Sequence, residues 1–230
     1  MRSSQLVLEH YDTDKVANRY LEVYDPIFEP YVDKKIKLLV VGVSKGGSLP
    51  LWRDYFPHAT ITGVDIRLPN HRDFGDRIQV FEVSQTDCSL LSEISRKIAP
   101  EGFDIIIDDA SHIAELTKIT FWHLFDNHLK PGGLYAIEDW LTGYWDDWID
   151  GKSYNSRSQA LFRALYSARC TVTRAVPSEY RKHLKIPLKS HDYGMVGFIK
   201  QRWTNKERSV SLCNTLMENQ LANQSSKVSS

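Results

Sequence analysis

The sequence predicts an α/β fold, in which a mostly parallel sheet carries helices on both faces. Apolar segments of strand length alternate repeatedly with segments whose apolar residues recur at helical spacing. Such apolar runs are typical of parallel strands that are buried on both faces. Several of them end abruptly in acidic residues, among them Asp65, Asp108 and Glu138. The carboxyl ends of parallel strands border the crevice in which open α/β sheets bind ligands, so these acids are candidate site residues.

Residues 1–35 are predicted to form a helical cover on the core. Aromatic residues from Tyr20 to Tyr31 recur at helical spacing, and we expect their helix to be interrupted at Pro26. The preceding run Asp12-Thr13-Asp14-Lys15 supplies a helix N-cap signal. Packing of this segment on the core is the simplest interpretation of the pattern.

Residues 36–203 are predicted to form the core, with about seven strands joined by helices. The expected strands are 36–42, 59–65, 77–83, 103–108, 134–138, 171–176 and 193–200. The expected helices are 49–56, 90–98, a segment from 113 to the turn Lys130-Pro131-Gly132-Gly133, and 156–169. Glycine and proline at the ends of these segments support the boundaries.

Two later segments differ in composition from the core. Residues 139–148 contain three tryptophans, and we expect them to form a loop that is either a packed lid or subunit contact, or a wall that faces a sugar or an aglycone. Residues 204–230 are polar, and we expect them to form a flexible tail.

The composition is that of a globular protein, with 42% hydrophobic and 25% charged residues. Formal net charge is zero, which argues against nucleic acid or an acidic membrane as a partner. Neither a membrane span nor a signal peptide is evident. Cys88, Cys170 and Cys213 are too widely spaced for a disulfide framework or a zinc pattern. We therefore expect inert thiols and a cytoplasmic location.

The turn after the first strand, residues 42–48, is the first candidate binding element. Gly42-Val43-Ser44-Lys45-Gly46-Gly47-Ser48 connects a strand to a helix, as in nucleotide-binding α/β folds, although it is not the dinucleotide fingerprint. A tight turn with a purely structural role is the alternative. Asp65, at the end of the second strand, fits an acceptor for ribose hydroxyls or a cap of the turn that follows it.

The acids after the fourth and fifth strands predict a divalent-metal site. Asp109, Glu138 and Asp139 offer the hard oxygen ligands that such ions prefer, and His112 lies close enough in sequence to act as a base beside them. Each residue alone also fits a helix cap or a neighbour of a helix start. A metal site is favoured because all four of these residues occur together in this order.

Five segments together carry a resemblance to a known family. They are Asp12-Thr13-Asp14-Lys15, the turn 42–48 with Trp52-Arg53-Asp54-Tyr55-Phe56-Pro57, Gly63-Val64-Asp65-Ile66, Ile107-Asp108-Asp109-Ala110-Ser111-His112, and Lys130 to Asp139. In this order, over roughly residues 10–200, the chain resembles class I S-adenosylmethionine-dependent methyltransferases, whose fold is Rossmann-like. More closely, it resembles the metal-dependent macrolide-sugar O-methyltransferases of the mycinamicin and tylosin pathways and related rhamnosyl O-methyltransferases.

The resemblance implies an O-methyltransferase of natural-product (antibiotic) biosynthesis that uses S-adenosylmethionine and Mg²⁺. It implies a metal bound by Asp109, Glu138 and Asp139, with His112 as general base toward a sugar hydroxyl. The implied cofactor-binding residues are Tyr11, Thr13, Lys15, Gly42, Ser44, Gly46, Ser48, Asp65, Ser84, Gln85 and Asp108. A small glycosylated substrate and a homo-oligomer are expected. The macrolide enzymes carry a large further N-terminal region, so a macrolide substrate and their assembly are not implied.

Two alternatives remain beside this function. The first is a metal-dependent, hydroxylase-like oxidoreductase, in which iron would need a second histidine such as His191. The second is a non-catalytic relative that has lost cofactor affinity, because Val40 stands where family members usually carry an acid. Three carboxylates favour Mg²⁺ over iron, which argues against the hydroxylase-like enzyme. The retained acids and His112 argue against a non-catalytic relative.

Overall fold

The computed structural model describes residues 1–70, 73–140, 142 and 148–152. The described chain divides into two units. The first contains residues 1–112 and 116–138, and the second contains residues 113–115 and resumes at Asp139. Both the sheet and the N-terminal segment, residues 1–35, belong to the first unit.

Five parallel strands form the centre of the first unit. They are β1 (Lys37–Val41), β2 (Thr60–Asp65), β3 (Ile78–Glu82), β4 (Phe103–Asp108) and β5 (Leu129–Ile137). Their order in the sheet is β3-β2-β1-β4-β5, and every neighbouring pair is parallel. Strand order therefore reverses beside β1, which places the binding crevice of an open sheet at the carboxyl ends of β1 and β4. The predicted parallel α/β sheet is confirmed for these five strands.

Helices occupy most of the predicted positions. They are α1 (Asp14–Ala17), α2 (Tyr20–Phe28), α3 (Ser48–Tyr55), α4 (Cys88–Ile98), α5 (Ala114–Asn127) and α6 (Ile149–Lys152), with short 3₁₀ turns at Ser3–Gln5, Leu8–His10 and Glu29–Tyr31. Asp87 caps α4 by accepting a hydrogen bond from the backbone N–H of Leu90. Among the described residues, none of these helices has the length and apolar character needed to cross a membrane.

The core lies around the central strand, β1. Leu38, Leu39, Val40 and Val41 are all buried, as expected for a strand with neighbours on both sides and cover on both faces. Val40 pairs with Gly63 on one side and Ile107 on the other, and it belongs to the main hydrophobic cluster. Val40 is therefore part of the apolar core in this chain.

Helix α2 packs its aromatic face against α3. The rings of Tyr24 and Phe28 stack with centroids 4.6 Å apart, and the ring of Trp52 meets Tyr24 edge-on at 5.3 Å. The predicted interruption at Pro26 is wrong, because the helix continues to Phe28. Pro26 is exposed and removes only one backbone N–H donor, which the burial of the aromatic face outweighs.

Strand β5 begins earlier than the sequence suggests. Residues 130–133 were expected to form a turn after a long helix, but α5 ends at Asn127 and β5 already starts at Leu129. Leu129 pairs with Phe103 and Leu134 with Ile105, so the register shifts between these pairs. A β-bulge of this kind accommodates the extra residues and Pro131, which cannot donate to the ladder.

Several predictions concern residues outside the described part of the chain. These are the strands 171–176 and 193–200, the helix 156–169, most of the loop 139–148, the tail 204–230, and Cys170, His191 and Cys213. Cys88 is described, and it is a half-buried free thiol.

Candidate active site

The turn formed by residues 42–48, the glycine turn, lies at the carboxyl end of β1. Gly42 has φ of 98°, a value that residues with a side chain rarely adopt. A Cβ atom at Gly42 would also overlap the backbone carbonyl of Asp109, and one at Gly47 would overlap the carbonyl of Asp12. Glycine is therefore needed here because two other backbone segments approach the turn closely.

Asp65 fixes the glycine turn from the neighbouring strand. Its Oδ2 atom accepts hydrogen bonds from the backbone N–H groups of Val43 at 2.7 Å and Ser44 at 2.8 Å. Its Oδ1 atom accepts from the N–H of Arg67 at 3.0 Å, which is the turn-capping contact considered from the sequence. A hydrogen bond from Asp65 to a ribose stays a prediction.

A cavity of about 220 Å³ opens beside the glycine turn at the carboxyl ends of β1, β2 and β4. Its lining includes the predicted cofactor residues Gly42, Ser44, Asp65, Ser84 and Gln85, with Val41, Val64, Ile66, Val83, Asp109, Ala110, Ser111 and Leu116. A concave, largely apolar wall with a few polar groups is typical of small-molecule sites.

Gln85 is held in place at the wall of this cavity. Its Oε1 atom accepts from the backbone N–H of Ser111 at 3.2 Å, and its Nε2 group donates to Thr120 at 3.1 Å. The Thr120 hydroxyl in turn donates to the Gln85 carbonyl. These contacts tie the segment that follows β3 to helix α5 at one side of the cavity.

Other predicted cofactor residues make different contacts. The Tyr11 hydroxyl donates to Asp54 at 2.9 Å, and burial together with this carboxylate raises the pKa of Tyr11 to about 12. Thr13 caps α1 by accepting from the N–H of Lys15. Gly46 and Ser48 are buried, and Ser48 begins α3.

Asp108 is buried in the first unit. Its Oδ2 atom accepts a hydrogen bond from the Tyr135 hydroxyl at 3.0 Å. Burial raises the pKa of Asp108 to about 7, although the bond from Tyr135 opposes that shift. Of the two adjacent acids, Asp109 is the one that lines the cavity.

Asp109 and Glu138, the acid pair, share a buried ammonium group. Lys15 Nζ donates to Asp109 Oδ2 at 2.5 Å and to Glu138 Oε2 at 2.8 Å, and its side chain is 1% exposed. The Tyr24 hydroxyl donates to Glu138 Oε1 at 2.6 Å. Two predicted metal ligands are thus brought together, and a lysine that was predicted to contact the cofactor lies between them.

The charges in this cluster depend on one another. Burial alone would lower the pKa of Lys15, but the carboxylates of Glu138 and Asp109 raise it above the usual range, so the ammonium stays protonated. Burial raises the pKa of Glu138, and the Lys15 ammonium opposes this shift. Burial and the Glu138 charge hold the pKa of Tyr24 well above its ordinary value, so its hydroxyl remains a donor.

His112 and Asp139 occupy unusual backbone conformations. Their φ angles are 54° and 47°, in the left-handed region that non-glycine residues seldom adopt. His112 Nε2 lies 3.7 Å from Asp109 Oδ1. Asp139 directly follows Glu138 and is where the second unit resumes. Strain of this kind is concentrated at functional sites in proteins.

Two contacts of the cluster were not foreseen from the sequence. The family resemblance implies a cofactor contact for Lys15, and the spacing around Tyr24 predicts only an aromatic helix face. Both reach Glu138 across more than a hundred residues of chain, since the separations are 123 and 114. No local pattern near Tyr24 signals such a partner.

The chain is similar to several O-methyltransferases. It is 37% identical over 155 residues to the mycinamicin VI 2''-O-methyltransferase of Micromonospora griseorubida, which covers 63% of this chain and 38% of the relative. It is 38% identical over 152 residues to the demethylmacrocin O-methyltransferase of Streptomyces fradiae, with coverage of 58% and 38%. A rhamnosyl tetracenomycin-C 2'-O-methyltransferase of Streptomyces olivaceus is 34% identical over 148 residues, with coverage of 61% and 38%.

Among solved structures, the chain is similar to the mycinamicin-pathway methyltransferase MycE in complex with Mg, SAH and mycinamicin VI. Identity is 37% and the TM-score is 0.50, over 63% of this chain and 41% of that one. No protein-family model matches the chain. The predicted resemblance to macrolide-sugar and rhamnosyl O-methyltransferases is confirmed, and the chain spans well under half of the length of these relatives.

Proposed function

We propose that this chain binds S-adenosylmethionine and Mg²⁺ and methylates a sugar hydroxyl of a glycosylated natural product. One observation carries the proposal: Asp109 lines the cavity at the glycine turn and, through Lys15, is joined to Glu138. A small-molecule cavity and a pair of acids are thus immediate neighbours. The names of the similar proteins, which are sugar O-methyltransferases, support the same conclusion.

The residues around the cavity fit S-adenosylmethionine. Gly42 lets the backbone of Asp109 pack closely against the glycine turn at the cavity wall, and Asp65 offers a carboxylate at the position suited to ribose hydroxyls. Ser84 and Gln85 would border the adenine, and Ser44 the amino-acid part. When bound, this cofactor supplies an electrophilic methyl group on a sulfonium. The protein's task is to hold that group in line with the attacking oxygen, which lowers the entropic part of the barrier.

The acids fit a hard divalent cation. Asp109, Glu138 and Asp139 would hold Mg²⁺, which prefers oxygen ligands. The ammonium of Lys15 shows that the acid pair attracts a positive charge, although it occupies one oxygen atom of each acid. When bound, the ion lowers the pKa of a coordinated hydroxyl, as it does for bound water.

His112 is the proposed general base. It would take the proton from the substrate hydroxyl at Nε2 while the hydroxyl oxygen forms its bond to the methyl group. The bond from that methyl to the sulfonium sulfur would break in the same step, with S-adenosylhomocysteine as the leaving group. Asp109 Oδ1 lies 3.7 Å from this nitrogen, so a carboxylate stands beside the imidazolium that results. Proton removal by a positioned histidine contributes about 10²–10⁴-fold to rate.

The test is a methyl-transfer assay on the full chain. S-adenosylmethionine with a labelled methyl is incubated with natural products that carry rhamnose or related sugars, with Mg²⁺ or with a chelator. We expect a product heavier by one methylene that depends on Mg²⁺. His112→Ala should lose most of the rate, whereas Lys97→Ala, at an exposed position of α4, should not.

Other outcomes would favour the two alternatives. A product that gains oxygen without S-adenosylmethionine would support a hydroxylase-like enzyme. Absence of both product and cofactor binding would support a non-catalytic relative. Methylation that is unchanged in His112→Ala would remove the base assignment alone.

A further inference from the structure

Lys15 carries its charge inside the protein rather than in water. Its side chain is 1% exposed, and its ammonium group contacts the carboxylates of Asp109 and Glu138. Buried lysines are rare because the charge loses its hydration, and they persist where opposite charges replace the water. Lys15 is therefore an internal counter-ion of the acid pair.

The ammonium uses the oxygen atoms that a metal ion would need. Glu138 Oε2 accepts from Lys15, and Glu138 Oε1 accepts from the Tyr24 hydroxyl, so both oxygens of this carboxylate have a donor. Asp109 Oδ2 also accepts from Lys15. A divalent ion on the same carboxylates would stand a few ångströms from the ammonium. Like charges repel far more strongly at such a buried position than in water.

We infer that Lys15 and Mg²⁺ compete for the acid pair, so that residue 15 sets the metal affinity of the site. The inference rests on the proposed function, which assigns Asp109 and Glu138 to the metal. It makes Lys15 a positioning residue rather than a catalytic one. Lys15 lies on α1 of the N-terminal segment, whereas the acids follow β4 and β5. Metal binding is therefore coupled to the attachment of that segment through the same two carboxylates.

The experiment is a calorimetric titration of the full chain with MgCl₂ after removal of metal by a chelator. Wild type is compared with Lys15→Met, which keeps the aliphatic length and removes the charge. Lys97→Met is the matched control, because it removes one positive charge at an exposed position of α4, outside the glycine turn and the acid pair. We expect Lys15→Met to bind Mg²⁺ at least tenfold more tightly than wild type, about 1.4 kcal/mol. Lys97→Met should stay within about twofold of wild type, because exposed charges are screened by salt.

Thermal unfolding supplies a second readout. Without metal, Lys15→Met should melt at a lower temperature than wild type, because its acids have lost their counter-ion. Mg²⁺ should then raise its melting temperature by more than it raises that of wild type. If Lys15→Met is unfolded without metal, the titration is followed as refolding by circular dichroism. Failure to refold at millimolar Mg²⁺ would overturn the inference.

The outcomes separate this inference from the proposed function. Equal or weaker Mg²⁺ binding by Lys15→Met, with binding intact in wild type, would overturn the competition alone. A lysine that served only to hold the fold would give this result, because its loss cannot tighten metal binding. Absence of Mg²⁺ binding in wild type and variant would overturn the metal site together with the inference.

Discussion

Replacing Tyr24 by phenylalanine removes one hydroxyl group from the acid cluster and little else. The hydroxyl donates to Glu138 Oε1 at 2.6 Å, and both residues are buried, with exposures of 2% and 3%. A hydrogen bond to a charged group contributes about 1.5–3 kcal/mol, and its loss leaves a buried acceptor that water cannot reach. The ring itself keeps its stacking on Phe28. We therefore expect Tyr24→Phe to destabilise the protein by about 2 kcal/mol.

Thermal unfolding followed by circular dichroism measures this loss. For a chain of this length, 2 kcal/mol corresponds to a fall of about 4–8 °C in the melting temperature. Tyr31→Phe is the matched control, because its hydroxyl makes an exposed hydrogen bond of 3.2 Å to the Gly132 carbonyl. That change should cost less than about 0.5 kcal/mol. Equal melting temperatures for the two variants would refute the importance assigned to the buried contact.

Two further predictions concern other parts of the first unit. Burial lowers the pKa of His123 and of His128 below the ordinary value, so the unfolded chain takes up protons at a higher pH than the folded one. The stability that these two histidines contribute is complete above about pH 6.5 and is lost as the pH falls toward their lowered pKa values in the folded chain. The midpoint of urea unfolding is therefore compared at about pH 7.5 and about pH 5.5. The difference between the two midpoints should be larger in wild type than in His128→Gln. Gly47→Ala should weaken S-adenosylmethionine binding and cost about 1–3 kcal/mol in urea unfolding, because its Cβ would overlap the carbonyl of Asp12.

The same measurements can contradict these predictions. A His128→Gln variant whose urea midpoint depends on pH as strongly as that of wild type would show that this histidine does not titrate on unfolding. Gly47→Ala is compared with Lys45→Ala, an exposed residue of the same turn. Equal stability and equal cofactor affinity in these two variants would show that the N-terminal segment does not press on the glycine turn.

Strands were predictable where burial alone decides the structure. β1, β2, β3 and β4 lie within one residue of the predicted bounds, because a fully buried parallel strand needs an uninterrupted apolar run. The start of β5 was not predictable, because the proline and glycines of residues 130–133 are typical of a turn. A bulge against β4 keeps these residues in the sheet, and that pairing is a property of the tertiary structure.

The candidate site was predictable in part for the same reason. Acids and glycines at strand ends are visible in the sequence, and Asp65, Gln85 and Asp109 do line one cavity. The contacts of Lys15 and Tyr24 with Glu138 were not visible, since they join helices of the N-terminal segment to the end of β5. Sequence periodicity reports which face of a helix is buried, but it does not report which distant group that face meets.

Calorimetric titration of the full chain with S-adenosylmethionine in the presence of Mg²⁺ tests the central claim most directly. The proposed function predicts saturable binding at a single site per chain. The affinity should fall sharply in Asp65→Ala, which removes a carboxylate of the cavity wall and the acceptor for two N–H groups of the glycine turn. No binding by wild type at millimolar cofactor, in a chain shown by circular dichroism to be folded, would contradict the claim.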